Sequence, residues 1–151
     1  MKKFLLFLFA LIISVTLVGC GNKNVEGSLE ELMTKVYSTL KEDETPMMLT
    51  NMEVTAENVE GYLGTADIEY EEALASESAT GSIAHSVVLL RVKDNTDVEK
   101  VKEKIKNSVN PRKWICVEAE EVKVESKGNL ILLVMSNKTA TDKIVTEFNN
   151  L

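Results

Sequence analysis

The sequence predicts an α+β fold, a two-layer sandwich in which helices pack on an antiparallel sheet of about four strands. Three observations predict it. Four segments have apolar residues three and four positions apart, the period of a helix with one buried face. Other segments alternate apolar and polar residues or are continuously apolar, and turn residues separate consecutive ones. The expected element order is α-α-β-β-α-β-β-α.

Each predicted helix begins at a side chain that can cap it. In chain order, the capping residues are Ser28 with Glu31, Thr55, Thr96 with Glu99, and Thr139 with Asp142. Gly64 ends the second helix and Asn110-Pro111 ends the third. The predicted buried faces are Leu29, Leu32, Met33, Val36, Tyr37 and Leu40; Val59, Tyr62 and Leu63; Val98, Val101, Ile105 and Val109; and Ile144, Val145, Phe148 and Leu151.

The predicted strands are Ala66 to Tyr70, Ile83 to Val92, Val117 to Glu125, and Leu130 to Met135. The second includes the run Val87 to Leu90, which is apolar on both faces and therefore predicts a central strand. Turns are expected at Ala79 to Ser82 and Ser126 to Asn129. The strand side that carries Ile83, His85, Val87 and Leu89 needs cover from a partner, a second subunit or the chain's own N-terminal elements, and the N-terminal helix is the simplest of these. The segment Pro46 to Val54 has five apolar residues and fits either a loop or a short strand.

The beginning of the chain has the pattern of an export signal. Lys2 and Lys3 precede an apolar run from Phe4 to Val18, whose 15 residues fall short of the roughly 20 that span a membrane. The run ends in Leu17-Val18-Gly19-Cys20, which resembles the bacterial lipobox. The alternatives are an ordinary secretory signal with a chance cysteine and an uncleaved anchor.

The lipobox resemblance implies a lipid on Cys20. In such precursors the cysteine sulfur receives a diacylglycerol, and cleavage makes Cys20 the new N-terminus. Two or three acyl chains, at about 0.8 kcal/mol per buried methylene, hold a protein firmly on a membrane. We therefore expect residues 1–19 to be a signal peptide that is removed, residues 20–27 to be a flexible tether, and residues 28–151 to form a single α+β domain.

The charge of the mature chain bears on its partners. Residues 1–19 contain two of the 17 basic residues and none of the 24 acidic residues, so their removal leaves a formal charge of −9. This charge disfavours nucleic acid as a partner and gives no attraction to anionic lipid headgroups. The sequence thus predicts membrane attachment through the lipid on Cys20, on the extracytoplasmic side, with an envelope protein as a possible partner.

Most of the mature chain also resembles a known family, and the resemblance is best in the C-terminal half. The resemblance depends on Ser86 to Lys93, Val98 to Lys106, Val122 to Val124, Lys127 to Val134, and the helix with Ile144, Val145 and Phe148. These segments are similar to small lipoproteins of Gram-positive bacteria that carry a domain of unknown function, family 4358. The resemblance implies a fold and a location. It implies no activity, because the matching residues determine the fold.

Few residues have a pattern typical of catalysis. His85 is the only histidine and lies beside apolar strand residues, which favours a structural or surface role. Two acidic clusters, Glu69, Glu71 and Glu72 and then Glu118, Glu120 and Glu121, lack the loop of a calcium site and favour a solvated strand face. Cys116 is expected to be buried and inert, and Trp114 to close the core rather than to form an interaction site. We predict no catalytic, cofactor-binding or metal-ligating residues and no cofactor.

The sequence favours a lipid-anchored binding or accessory module without catalytic activity. The first alternative is an envelope hydrolase that uses the acidic residues. The second is a small solute-binding accessory of a transporter, for which the chain is short and lacks a duplicated half.

Overall fold

A computed structural model describes residues 24–151, so the predicted signal and Cys20 lie outside the described residues. The helices are α1 (Leu29–Val36), α2 (Val59–Leu63), α3 (Val98–Ser108) and α4 (Lys138–Asn150). The strands are β1 (Leu49–Glu53), β2 (Glu72–Ser78), β3 (Ser86–Arg91), β4 (Glu121–Lys127) and β5 (Leu130–Ser136). All neighbouring strands pair antiparallel in the order β1-β2-β3-β5-β4. The predicted α+β class is confirmed.

The sheet has one strand more than the four predicted. Two of the five strands, β1 and β2, match no predicted strand, and β1 resolves the segment Pro46 to Val54 as a short strand, with Leu49 opposite Ser78 and Glu53 opposite Leu74. It lies at the edge of the sheet, and its side chains are exposed except for the half-buried Leu49. Apolar and polar residues alternate along a strand when one of its faces is buried. Because β1 has no buried face, its sequence does not show this alternation.

The predicted strand Ala66 to Tyr70 is wrong, and β2 begins after it. Ile68 and Tyr70 do point inward and pack on the core, and the Tyr70 hydroxyl donates to the Val54 carbonyl at 3.2 Å. The segment is therefore buried on one side without being part of the sheet. Alternation of apolar and polar residues indicates that one side of a segment is buried. A β-strand also requires backbone hydrogen bonds to a neighbouring strand.

The sheet carries helices on both faces, so the predicted two-layer arrangement is wrong. Val87 and Leu89 of β3 pack with residues of α1 and α4, which confirms the cover expected from the N-terminal helix. Val88 and Leu90 point the other way and pack with residues of α2 and α3. Successive side chains of a strand point to opposite faces, so a continuously apolar strand needs cover on both sides.

Two further predicted strands have different limits. The strand predicted from Ile83 begins at Ser86, and the strand predicted from Val117 begins at Glu121. The chain before β4 instead closes a loop, because the Ala119 N–H donates to the Pro111 carbonyl at 2.9 Å. The predicted hairpin turn is tighter than four residues, since β4 continues through Lys127.

The capping box of α1 forms as predicted. The Ser28 hydroxyl accepts from the Glu31 N–H at 3.3 Å, and the Glu31 carboxylate accepts from the Ser28 N–H at 3.4 Å. Gly64, at φ +74°, ends α2 as predicted.

The other three predicted caps are wrong by one to three residues. Asp97 caps α3 by accepting from the Lys100 N–H at 3.1 Å, and Asn137 caps α4 by accepting from the Ala140 N–H at 2.9 Å. α2 follows Asn58, whose side chain accepts from the Thr55 N–H instead. Several neighbouring residues at these helix starts have a suitable oxygen, so residue type alone does not select among them.

Candidate functional site

His85 is buried between two hydroxyl groups. Its Nε2 lies 2.6 Å from the Tyr37 hydroxyl, and its Nδ1 lies 2.8 Å from Oγ of Ser136. Burial lowers the pKa of His85 to about 4 and raises the pKa of Tyr37 above its ordinary value. A neutral imidazole donates through one nitrogen and accepts through the other, so both ring nitrogens are satisfied. This geometry agrees with the structural role predicted for His85.

Three glutamates of the two acidic clusters contact cationic groups or a backbone N–H. Oε1 of Glu72 lies 2.7 Å from Nε of Arg91, and Oε2 of Glu118 lies 2.7 Å from Nε of Arg112. Oε2 of Glu120 accepts from the Lys138 backbone N–H at 2.9 Å. Within residues 24–151, no group of three His, Cys, Asp or Glu side chains is arranged to hold a metal ion.

A different set of carboxylates lines a surface groove between α3 and β4. The groove is lined by Asp97, Glu99, Lys100, Lys102, Glu103, Lys106, Val124 and Glu125. Its lysines alternate with its carboxylates, and Nζ of Lys102 lies 3.1 Å from Oε1 of Glu99. This is the pattern of a solvated helix face, whereas a glycosidase holds two carboxyl groups across a cleft that fits a sugar.

Cys116 is exposed, so the prediction of a buried cysteine is wrong. Cys116 has φ +61°, and its neighbour Ile115 is 72% exposed. The apolar neighbours suggested a strand interior, but the loop before β4 turns these side chains toward solvent. A left-handed backbone is uncommon for a residue with a side chain and is typical of tight loops.

Trp114 packs half-buried against the core on the α2 and α3 face, in agreement with the predicted role. The preceding Lys113 forms an ion pair with Glu77, and its Nζ lies 5.2 Å from the Tyr62 ring centroid and 5.4 Å from the Trp114 centroid. A cation between two aromatic faces and a carboxylate is held by several interactions together. Lys113 therefore fixes this loop against the sheet.

Within residues 24–151, the large apolar side chains that are exposed lie at β1, apart from Ile115. Met47 is 70% exposed and Met48 is 65% exposed, and both directly precede the strand. Met52, within β1, is 48% exposed and accepts a hydrogen bond from the Tyr62 hydroxyl at its sulfur. We call these three methionines, together with the outer edge of β1, the β1 surface. Clustered exposed methionines are typical of surfaces that bind other proteins.

The outer edge of β1 has unpaired backbone groups. The Met48 carbonyl accepts from the Ala79 N–H, and the Val54 N–H donates to the Ala73 carbonyl, both at 2.9 Å. The backbone N–H and C=O groups of the even-numbered residues in this segment therefore point toward β2. In an antiparallel pair, the backbone N–H and C=O groups of the odd-numbered residues then point away from β2, toward the free edge. Asn58 donates to the outward carbonyl of Glu53. Within residues 24–151, the outward N–H groups of Leu49, Asn51 and Glu53 and the carbonyls of Leu49 and Asn51 have no strand partner.

The stretch of sequence that contains β1 is acidic, although Lys143 and Lys113 from other parts of the chain reach its surroundings. Between residues 42 and 60 the chain has six acidic residues and no lysine or arginine. Glu44 pairs with Lys143. The ion pairs within residues 24–151 do not include the other five, which are Glu42, Asp43, Glu53, Glu57 and Glu60.

The opposite end of the sheet holds the start of the described chain. Arg91, at the end of β3, donates to the carbonyls of Val25 and Gly27 and pairs with Glu72. Val25 itself is buried in the core with residues of α1 and α4. The described part of the predicted tether therefore packs on the domain.

No protein-family model, curated protein or solved structure matches this chain. Within residues 24–151, no helix combines the length and the apolar content needed to cross a bilayer.

Sequence reasoning missed the β1 surface and the contacts of Arg91 and Lys113. One signal of the β1 surface was present: two consecutive methionines follow Pro46 in a stretch without basic residues. Arg91 and Lys113 have no comparable signal, because their partners are distant in the sequence.

Proposed function

We propose that this protein is a lipid-anchored extracytoplasmic protein that binds a protein partner at the cell envelope without catalysing a reaction. The observation that carries the binding role is the β1 surface, where exposed methionines flank an unpaired strand edge. The proposal includes kinship with the small Gram-positive lipoproteins that most of the mature chain resembles.

The location of the predicted lipid supports this role. Cys20 precedes Asn24 by four residues, a stretch that spans at most about 14 Å. Because Arg91 holds the chain just after Asn24, a lipid on Cys20 would keep the Arg91 end of the sheet near the bilayer. Met47 and Met48 lie at the other end, since β1 begins opposite the end of β2. Anchoring would therefore direct Met47 and Met48 away from the membrane.

The distribution of carboxylates supports a binding role over the hydrolase alternative. Glu72 and Glu118 pair with arginines on the surface, and the groove beside α3 mixes carboxylates with lysines. Glycosidases pair two carboxyl groups whose pKa values and separation are set by a cleft, whereas these carboxylates are neutralised by neighbouring basic side chains.

Mass spectrometry of the chain isolated from membranes tests the anchor. We expect a protein that begins at Cys20 and carries a diacylglyceryl group, and a Cys20→Ser variant that is released from the membrane fraction. A mature chain that begins elsewhere or carries no lipid would contradict the anchoring.

Photo-crosslinking on intact cells tests the binding role. A photoreactive residue is placed at Asn51 on β1 in one variant and at Lys123 on the opposite edge strand β4 in another. A specific crosslinked protein at either position supports a binding module. Failure to crosslink any protein at either position, with the variants correctly located, would contradict it.

A further inference from the structure

We propose that the outer edge of β1 binds an extended segment of the partner, rich in lysine or arginine, as an additional strand of the sheet. This inference deepens the proposed binding function and depends on it.

The backbone of β1 is suited to pairing with a strand. Leu49 and Asn51 each present an outward N–H and an outward carbonyl, and Glu53 presents an N–H. A strand added to a free edge satisfies such groups, and the resulting hydrogen bonds are independent of the side chains of the added segment.

Contacts for the side chains of an added strand exist on both faces. On one face, a shallow groove between α1 and β1 is lined by Thr34, Tyr37, Ser38, Leu49 and Asn51, with Met33 and Ser76 beneath. On the other face, Met52 lies exposed against Tyr62. Alternate side chains of an added strand would contact these two surfaces in turn.

The unpaired carboxylates near β1 in the sequence favour a basic partner, with Lys113 over Tyr62 as the one basic side chain on the Met52 face. Five acidic residues near β1 have no ion-pair partner within residues 24–151, and among them Glu53 lies on the strand itself. A basic segment would neutralise these carboxylates, which favours both encounter and register. A second copy of this chain paired through β1 would instead bring two acidic edges together.

The other edge strand differs in the way that this interpretation requires. β4 carries Lys123 and Lys127 among its acidic residues, and Lys127 donates to the carbonyls of Asn149 and Leu151. Lysines on an edge strand protect it against pairing with other strands. β1 has no lysine, so the two edges are not equivalent.

A direct binding measurement tests the proposal. The full-length chain in a non-ionic detergent is titrated with a labelled synthetic heptapeptide in which lysine alternates with valine or threonine. We expect saturable binding that weakens with added salt, and about tenfold weaker binding of a peptide with glutamate in place of each lysine. Absence of binding, or equal binding of the two peptides, would overturn the proposal.

An Asn51→Pro variant tests the backbone pairing. Proline removes the outward N–H of residue 51 and leaves the hydrogen bonds to β2 intact, and Asn51→Ala is the matched control that keeps the N–H. Both variants remove the groove-lining Asn51 side chain, so we expect Asn51→Pro to bind the peptide about tenfold more weakly than Asn51→Ala does. Equal affinities of the two folded variants would show that the edge is not used.

A modified peptide provides the same test without altering the protein. N-methylation of alternate amides of the lysine peptide keeps its charge and blocks its pairing as a strand. We expect about tenfold weaker binding, whereas undiminished binding would reduce the interaction to charge attraction and overturn the proposal.

Photo-crosslinking on intact cells distinguishes failure of the β1 site from failure of the binding function. A partner that crosslinks at Lys123 and not at Asn51 leaves the binding function in place and refutes the β1 site. Sedimentation of the chain alone tests the other candidate for the β1 edge, which is a second copy of this chain. A dimer that the Asn51→Pro substitution disrupts would assign the edge to that second copy and overturn the proposal.

Discussion

Acid should destabilise this protein through the buried His85. The ordinary pKa of histidine is 6.5, and burial lowers the pKa of His85 to about 4 in the folded protein. Between these two values the unfolded chain binds a proton that the folded chain does not, so lowering the pH favours unfolding. The stability that neutral His85 provides is complete above pH 6.5 and is lost as the pH falls toward 4.

The size of the effect follows from the two pKa values. A shift of one pKa unit corresponds to about 1.4 kcal/mol, so the complete loss is about 3 kcal/mol. From about pH 7 to about pH 4.5 the expected decrease in the free energy of unfolding is about 2 kcal/mol from this residue alone.

The assay is urea unfolding followed by the fluorescence of Trp114, the single tryptophan of the chain. Surface carboxylates also lose stabilising contacts in acid, so the pH dependence of the wild type is compared with that of His85→Gln, which cannot titrate. We expect the wild type to lose about 2 kcal/mol more than the variant over this range. Parallel losses in both proteins would refute a buried, neutral His85.

Three further predictions concern the fold. Gly64→Ala should destabilise by at least about 2 kcal/mol in urea unfolding, because Gly64 has φ +74° and an added Cβ would overlap the backbone at the end of α3. Gly61→Ala, with no neighbour within 4 Å of the new Cβ, is the control and should be neutral or slightly stabilising. Arg91→Ala should cost about 2 kcal/mol and speed amide hydrogen exchange in the residues just before α1, whereas Arg112→Ala, at an exposed ion pair, should cost less than about 1 kcal/mol. Unchanged exchange before α1 would argue against the Arg91 contacts. Cys116 should react with a thiol reagent in the folded chain, and reaction only on unfolding would contradict its exposure.

The features that sequence predicted well are those whose burial leaves a pattern among residues close together in the sequence. The apolar spacing of α4 identified Ile144 and Phe148 as core residues, and the double-sided run in β3 identified a central strand. The Ser28 capping box formed because both of its partners lie within a single helical turn.

The features that sequence did not predict depend on distant contacts or on exposure. β1 is a strand because its backbone pairs with β2, while its exposed side chains carry no pattern. The second helical layer was not predicted. The helices were all assigned to one face of the sheet, although the apolar run in β3 needs cover on both faces. Cys116 was misassigned because apolar neighbours predict burial only where the loop brings them inward.

The β1 surface also combines a feature that is visible in the sequence with one that depends on distant contacts. The acidic composition around β1 is visible in the sequence, but the identity of the outward groups depends on the register with β2. A one-residue shift of that register would exchange the inward and outward residues.

Residue-resolved hydrogen exchange with and without the lysine peptide tests the central claim most directly. The outward amides of Leu49, Asn51 and Glu53 should exchange readily in the chain alone and become protected when the peptide binds. Thr50 and Met52, which face β2, should change little. Protection confined to other parts of the chain, or no protection under saturating peptide, would contradict β1 as the binding edge.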